Sequence, residues 1–520
     1  MTRIVIVGAG IAGVPAAYLI KEKLDERGSV TVISDKDYFH FVPSNPWVAM
    51  GWRKREDIAF PIAPFLAERD ITFIGKAARQ IHAAKNQVQL ADGSVVEYDF
   101  LILATGPEPA FDEIEGLDPA QRSTHCITHI EHAVKAYADY QQFVQNPGPI
   151  VIGAMQNSSP LGPMYELAFL LDTDLRRRNI RSRVPICLIT PEPYVGHLGV
   201  GAQSETKGLL ETALVDREIS YICNSKTIRI EPGKIHIMEC DDHGNDLQAR
   251  EVPFAYSVYW PAFRGAQVLG SVLGFTDERR FVTVDEYLRS PVHPNIFAVG
   301  VCAAHPVLKK TPVPVGAPTS VYSIQNEVHT AVQNILASIK GEALSSAVPQ
   351  REKWFSDMGE SGASYLSEPQ IPLRNINWLR QGQWVHFAKV NFENYFINKI
   401  QLKPAVGASP ITSSHIATVI RRKQSAKKEI TAKFPAKHFV TKPIEVRLQR
   451  DRYYELSALE KALNLEANTL AAELLNAAIR DAKLHLDDAT LGEFERVYGN
   501  LLLADLPENQ PGVEFHGGST

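Results

Sequence analysis

Gly8, Gly10 and Gly13 have the spacing with which a strand-to-helix turn brings bare backbone up to a pyrophosphate. Gly8 permits the tight turn, Gly10 the close approach, and Gly13 the close packing of the helix that follows, whose N-terminus favours an anion. Ser34 and Asp35 come roughly twenty residues later, at the end of the next strand, where an acid can accept the ribose hydroxyls of an adenine dinucleotide. A second turn of this kind is expected over Gly148 to Asn157, but only Gly153 of its glycines is present. Met155 and Asn157 put side chains where a pyrophosphate needs bare backbone, so no nicotinamide dinucleotide is expected there. The cysteines, Cys126, Cys187, Cys223, Cys240 and Cys302, are scattered and lack metal-ligand spacing, so neither a metal site nor a disulfide scaffold is expected.

The elements that must position these groups can be read from pattern. Arg3 to Val7 is a buried strand, Ile11 to Glu26 a helix and Val30 to Ile33 a second strand. Thr72 to Ile74 and Gln87 to Leu90 follow, the latter leading into an Ala91-Asp92-Gly93-Ser94 hairpin turn. Tyr98 to Leu103 is another buried strand, ending Ala104-Thr105-Gly106, an ending that recurs in flavoproteins with two dinucleotide folds and favours FAD over NAD. Ile150 to Ile152, Pro185 to Thr190 and Phe281 to Asp285 read as strands of a second domain, and Asn295 to Gly300 returns the chain to the first. Between the first two domain-forming strands and the hairpin, Tyr38 to Arg53 alternates aromatics with prolines and suits either the wall of a flat cofactor or a hydrophobic cluster under a loop.

The fold class expected is α/β, with two Rossmann-like dinucleotide-binding domains and a small, mainly helical C-terminal module. Residues 1–110 and 290–402 form the FAD-binding domain, 111–289 the second domain, 403–438 a basic linker, 439–505 the module and 506–520 a tail. A chain of 520 residues, 45% hydrophobic and 22% charged, can fill several cores. A net charge of −5 gives no global reason for nucleic-acid binding. No stretch approaches the roughly 18 apolar residues of a membrane span, and the opening strand leaves no leader, so a cytoplasmic protein is the default, with peripheral membrane association left open.

From Met1 to about Gln401 the chain resembles the sulfide:quinone oxidoreductases, FAD enzymes related to flavocytochrome c sulfide dehydrogenase. The residues that carry this are Phe41 to Arg53, Ala104 to Gly106, Gly162 to Glu166, Glu192 to Gly199, Gly300-Val301, Lys310 to Gly316 and Phe387 to Phe396. The resemblance implies electron flow from a small sulfur donor through FAD to a quinone. It implies FAD contacts from Gly8, Gly10, Gly13, Ser34, Asp35, Ser44, Asn45, Ala104, Thr105, Gly106, Gly300, Thr311, Gly316 and Lys389. Lys389 matches a lysine beside the flavin pyrimidine, where positive charge stabilises the reduced anion; its plain alternative is a solvated helix lysine.

On the sulfur side, Cys126 matches a cysteine that in some members forms a thioether to FAD. His132, Glu166 and His197 match acid and base candidates, although a histidine in a Gly-His-Leu-Gly turn equally bonds backbone and Glu166 equally forms a salt bridge. The family's redox-active cysteine pair falls at Pro160 and near Trp354, and neither side chain can take part in thiol–disulfide chemistry. The sulfur chemistry is therefore expected to be altered. Rival readings are an NAD(P)H:quinone reductase and a non-enzymatic, redox-sensing flavoprotein.

Beyond Tyr395-Phe396, which resemble the start of the family's quinone-side helices, Lys403-Pro404 breaks the pattern, so any membrane contact is expected to be weak. Ile444 to Gln449, Asp451 to Leu463 and Thr469 to Ala482 then read as strand, helix and helix, resembling a ribbon-helix-helix module. One copy cannot bury Ile444, Val446 and Leu448, so a homodimer or higher oligomer is expected. Glu445 would be repelled by DNA, so dimerisation is favoured over DNA binding.

Overall fold

A computed structural model describes residues 2–24, 28–201, 204–307, 310–346, 352–359, 361–368 and 376–401, and the side chains of these apart from 204–207, 352–353, 366–368, 376–381, 383–384 and 387. All belong to the first of two units, which ends at Pro404. The basic linker, the strand-helix-helix module and the tail expected over 403–520 lie outside the described residues.

Contiguous β-branched residues make Thr2–Val7 a strand buried on both faces. It lies at the centre of a five-stranded sheet in the order Ile296–Ala298, Phe100–Leu103, Thr2–Val7, Gly28–Ile33, Thr72–Ile74, every pair parallel. Because side chains alternate across a strand, Ile4 and Ile6 enter one core and Val5 and Val7 another. Helices Gly13–Leu24 and Val321–Lys340 serve the first core, and the meander Ala78–His82, Gln87–Leu90, Val95–Glu97 serves the second. Ser320 caps the start of the Val321–Lys340 helix by accepting from the Ser323 N–H, and left-handed Gly341 ends it.

A second parallel sheet runs Ile219–Ile222, Ile186–Ile189, Ile150–Ala154, Tyr256–Trp260. Helix Gly162–Arg177 packs on its central strand, and the antiparallel sheet Ser225–Glu231, Lys234–Cys240, Asp246–Pro253 fills a third core with it. The architecture is thus the expected α/β arrangement of two dinucleotide-type sheets. Finally, strands Glu352–Asp357, Gly362–Glu368 and Ile376–Gly382 form an antiparallel sheet that leads into helix Gln383–Gln401.

Two expectations change. The helix after the glycine turn starts at Gly13, because Ile11 and Ala12 are spent in the turn itself. Phe281 to Asp285 is no strand: only Val282 bridges, to Thr276 and Ala303. The Phe281 N–H goes to the Asp277 carboxylate, and those of Val282, Thr283 and Asp285 to the carbonyls of Cys302, Phe275 and Arg289, so the segment's bonds are spread over separate turns and form no ladder.

Candidate active site

The first glycine turn divides its glycines between packing and open space. At Gly8, φ is +115° and an added Cβ would lie 2.1 Å from the Ala104 carbonyl oxygen, so the strand end Ala104 and the turn can approach only with glycine there. A Cβ on Gly13 would lie 1.9 Å from the Gly8 oxygen. Gly10 and Gly106, by contrast, have no atom within 4 Å of an added Cβ. Of these, Gly10 owes its place to open space alone, as a bound dinucleotide requires, while Gly106, just past the end of strand Phe100–Leu103, is also held to glycine by a φ of +67°. Gln325 steadies the turn by donating to the Ile11 carbonyl at 3.0 Å. Asp35 is exposed at its strand end, while Ser34 is buried and accepts from the Lys36 N–H.

The second turn is closed. The Asn157 N–H, which would face a pyrophosphate, donates instead to the Pro314 carbonyl at 2.7 Å, and the Gly316 N–H donates to Ser158 at 3.1 Å. The Gln156 side chain is held by both backbone groups of Thr227, and Met155 is fully buried. Gly153 has a packing cause, since its Cβ would strike the Tyr259 ring at 2.2 Å. The 311–316 segment, from which Thr311 and Gly316 were expected to reach a cofactor, thus also plugs this turn; Thr311 Oγ1 bonds the Val313 carbonyl.

Pro160 and Trp354 line one cavity. The strand period explains how. Trp354 and Ser356 point to one face of their strand and pair with Tyr365 and Ala363, and all four line the cavity. Leu198, Leu210 and Tyr165 also line it. The Tyr165 hydroxyl donates to Glu192, a wholly buried carboxylate that also accepts from Thr190 Oγ1 at 2.8 Å and the Leu198 N–H at 2.6 Å. Burial pushes Glu192 up to about 7 despite these donors.

Phe355 and Asp357 alternate with those side chains and meet a different set of partners. Asp357 accepts from Trp47 Nε1 at 2.9 Å and lies 2.7 Å from His386 Nδ1, and Phe355 contacts Phe392. Beside them Glu166 and Lys389, 3% and 4% exposed, form an ion pair, and the Lys389 ammonium lies 4.6 Å from the centre of the Trp47 ring. Burial raises Glu166 to about 7 against the pull of Lys389. Lys389 is therefore no solvated lysine. The aromatic loop before it joins the same neighbourhood: Phe39 and Phe41 pack on Phe396, Ser44 donates to Glu393, and Arg53 pairs with Glu393 at 2.7 Å.

Residues 2–155 match the pyridine nucleotide-disulphide oxidoreductase family. The sulfide-quinone reductase of Aquifex aeolicus (strain VF5) is 36% identical over 401 residues, 77% of this chain and 91% of that protein. The chain belongs to the sulfide-quinone reductase family. The X-ray structure of the Aquifex aeolicus sulfide:quinone oxidoreductase superposes with a TM-score of 0.74 at 35% identity, covering 77% of this chain and 92% of that one. A NAD-dependent persulfide reductase from A. fulgidus, at 17% identity and a TM-score of 0.55, covers 84% of this chain and 86% of its own and shares the fold. As a sulfide-quinone reductase family member the chain is an FAD-dependent oxidoreductase.

The remaining expected residues of this family member lie as follows. Cys126 is buried with its Sγ 3.1 Å from Thr128 Oγ1, and burial pushes its thiol up to about 11. Asn45 bridges His40, at 2.7 Å, and the Ile127 carbonyl, tying the aromatic loop to the Cys126 segment. His132 is half-buried against Phe111 and His129, with a buried Nδ1 that has no partner, and burial lowers its pKa. His197 is buried, and its Nδ1 accepts from the Gly199 N–H at 3.2 Å. Gly300 donates its N–H to Glu327 at 2.7 Å, and Thr105 Oγ1 bonds the Gly106 carbonyl. Glu166, matched to a sulfur-side acid or base, and Lys389, matched to a lysine beside the flavin pyrimidine, are brought together as one ion pair. Glu192, Asp357, Glu327 and Glu393 had no role assigned from sequence, and no local pattern marks them. Among the described residues no group of His, Cys, Asp or Glu could hold a metal ion, and no helix is long and apolar enough to cross a membrane.

Proposed function

We propose that the chain passes two electrons from sulfide or a small thiol through FAD to a quinone, with a sulfur step that does not run through a protein cysteine pair. The cavity lined by both Pro160 and Trp354 carries this reading, because none of its lining residues is a thiol. Gly8, Gly10, Gly13, Ser34, Asp35, Ala104, Thr105, Gly106, Gly300, Thr311 and Gly316 would hold the cofactor, with Ser44 and Asn45 ordering the loop beside it. Bound FAD supplies the two-electron chemistry. The chain supplies a protected donor cavity, a neutral His132 with an unused ring nitrogen to take a proton, and the buried charge of Lys389. His197 and Glu192 position the 190–199 loop along the cavity. A thioether at Cys126 would have to replace its contact with Thr128.

The closed second turn weighs against the NAD(P)H alternative, since the Asn157 N–H is already used. A quinone acceptor implies approach to a membrane surface. Dimerisation through Ile444 to Gln449 stays part of the proposal, and those residues lie outside the described ones. Anaerobic titration of the bound flavin tests the whole. Sulfide or a small thiol should bleach it, NADH should not, and a quinone should restore the colour; rapid bleaching by NADH alone would overturn the reading.

A further inference from the structure

Four segments meet around the carboxylate of Asp357, which is wholly buried. Its Oδ2 takes the Trp47 indole N–H and the His386 ring, and its Oδ1 takes the Gly359 N–H at 2.9 Å. The Trp47 ring lies between two cations, Lys389 at 4.6 Å and Arg53 at 4.5 Å from its centre. Attraction of a cation to an indole depends on which part of the ring it meets, and the ring's setting here is fixed by its N–H bond to Asp357. Glu166 also senses Asp357 directly: the Asp357 backbone N–H favours its charged form, and the Asp357 carboxylate opposes it.

We propose that Asp357 is a positioning residue for the Glu166–Lys389 pair, holding by its bond to the Trp47 indole the ring against which Lys389 is set. This rests on the reading that the pair lies on the flavin side. The groups that face Glu166 are Lys389 from helix Gln383–Gln401 and Asp357 from strand Glu352–Asp357, with His386 behind Asp357. Arg53, across Trp47, is already paired with Glu393. Removing the Asp357 charge while keeping its shape should therefore let Glu166 ionise more easily and weaken the charge-assisted bond that sets the indole against Lys389.

The test uses Asp357→Asn and, as a second variant that keeps the charge but moves it, Asp357→Glu. In the flavin-free full chain, the infrared carbonyl band of protonated Glu166, identified by its loss in Glu166→Gln, is followed against pH. In the holoenzyme, the midpoint potential of the flavin is followed over the same range. Asp357→Asn should move the Glu166 titration to lower pH by on the order of one unit, and the bend in the potential–pH curve should move with it. Asp357→Glu should shift both less. A Glu166 titration that stays in place in both variants while the melting temperature falls would overturn the proposal and leave Asp357 a structural residue. A titration that moves while the flavin potential does not supports the positioning role and removes the flavin-side reading instead.

Discussion

The two parallel sheets carry glycine turns of common design and opposite outcome. In the first, Gly10 and Gly106 face unfilled space, and the turn is steadied from behind by Gln325. In the second, the surviving glycine, Gly153, is held against Tyr259, and the Asn157 N–H is taken by Pro314. A dinucleotide fold binds a dinucleotide only while the N–H groups of its turn remain uncommitted. Here the 311–316 segment takes the Asn157 N–H of the second turn. The second turn serves as an internal joint, while the first keeps at Gly10 the open backbone that a dinucleotide needs.

The comparison can be broken first at Gly8. Gly8→Ala combines a left-handed backbone with a Cβ 2.1 Å from the Ala104 oxygen, so it should cost at least about 3 kcal/mol and abolish flavin binding, measured by denaturant unfolding and by flavin content after purification. Gly10→Ala sharpens it. With no protein atom within 4 Å, stability should stay within about 0.5 kcal/mol of the parent while FAD affinity falls tenfold or more, by calorimetric titration of the flavin-free chain. At the closed turn the outcome should invert. Gly153→Ala should cost roughly 1–3 kcal/mol through the Tyr259 contact and change flavin content little, and Tyr259→Leu in the same chain should recover part of the loss. If Gly153→Ala instead altered NADH binding while stability held, the closed turn would be a ligand site after all.

The readable parts of the molecule were those with local causes. A run of β-branched residues ending in glycine specifies Thr2–Val7 and its turn without help from elsewhere, and Ala91 to Ser94 likewise makes a hairpin between Gln87–Leu90 and Val95–Glu97. The family resemblance also singled out Pro160 and Trp354, and the cavity contains both. What stayed hidden has causes distant in sequence. Asp357 looks like any strand-end aspartate until Trp47 and His386 reach it, and Glu192 like any loop acid until Tyr165 does. The aromatic loop at Tyr38 to Arg53 suited both a cofactor wall and a cluster; its phenylalanines pack against helix Gln383–Gln401, whose position no local pattern specifies.

The smallest effect expected concerns what holds the second turn shut. Gly199 packs against the Gly316 carbonyl, 2.6 Å from an added Cβ, so the 190–199 loop backs the segment that plugs the turn, and Glu192 anchors that loop. Glu192 is raised in the folded protein to about 7 from the ordinary glutamate value of about 4.5, chiefly by burial. A raised carboxylate means the folded state holds the proton more tightly than the unfolded one, so its contribution is complete below about 4.5 and is lost as pH rises through about 7. Glu166, raised to about 7 by the same cause, adds in the same direction. The contribution of each glutamate should therefore fall between these limits by on the order of 1–3 kcal/mol, while His40 and His129, lowered to about 4 by burial, act in the opposite direction over much of the same range. Relative to the parent, Glu192→Gln should gain stability as pH rises from about 4.5 to 7, read from urea unfolding at matched pH, while leaving the first turn's hold on FAD unchanged. A difference from the parent that stays constant with pH would mean that the loop behind the closed turn does not depend on the charge of Glu192.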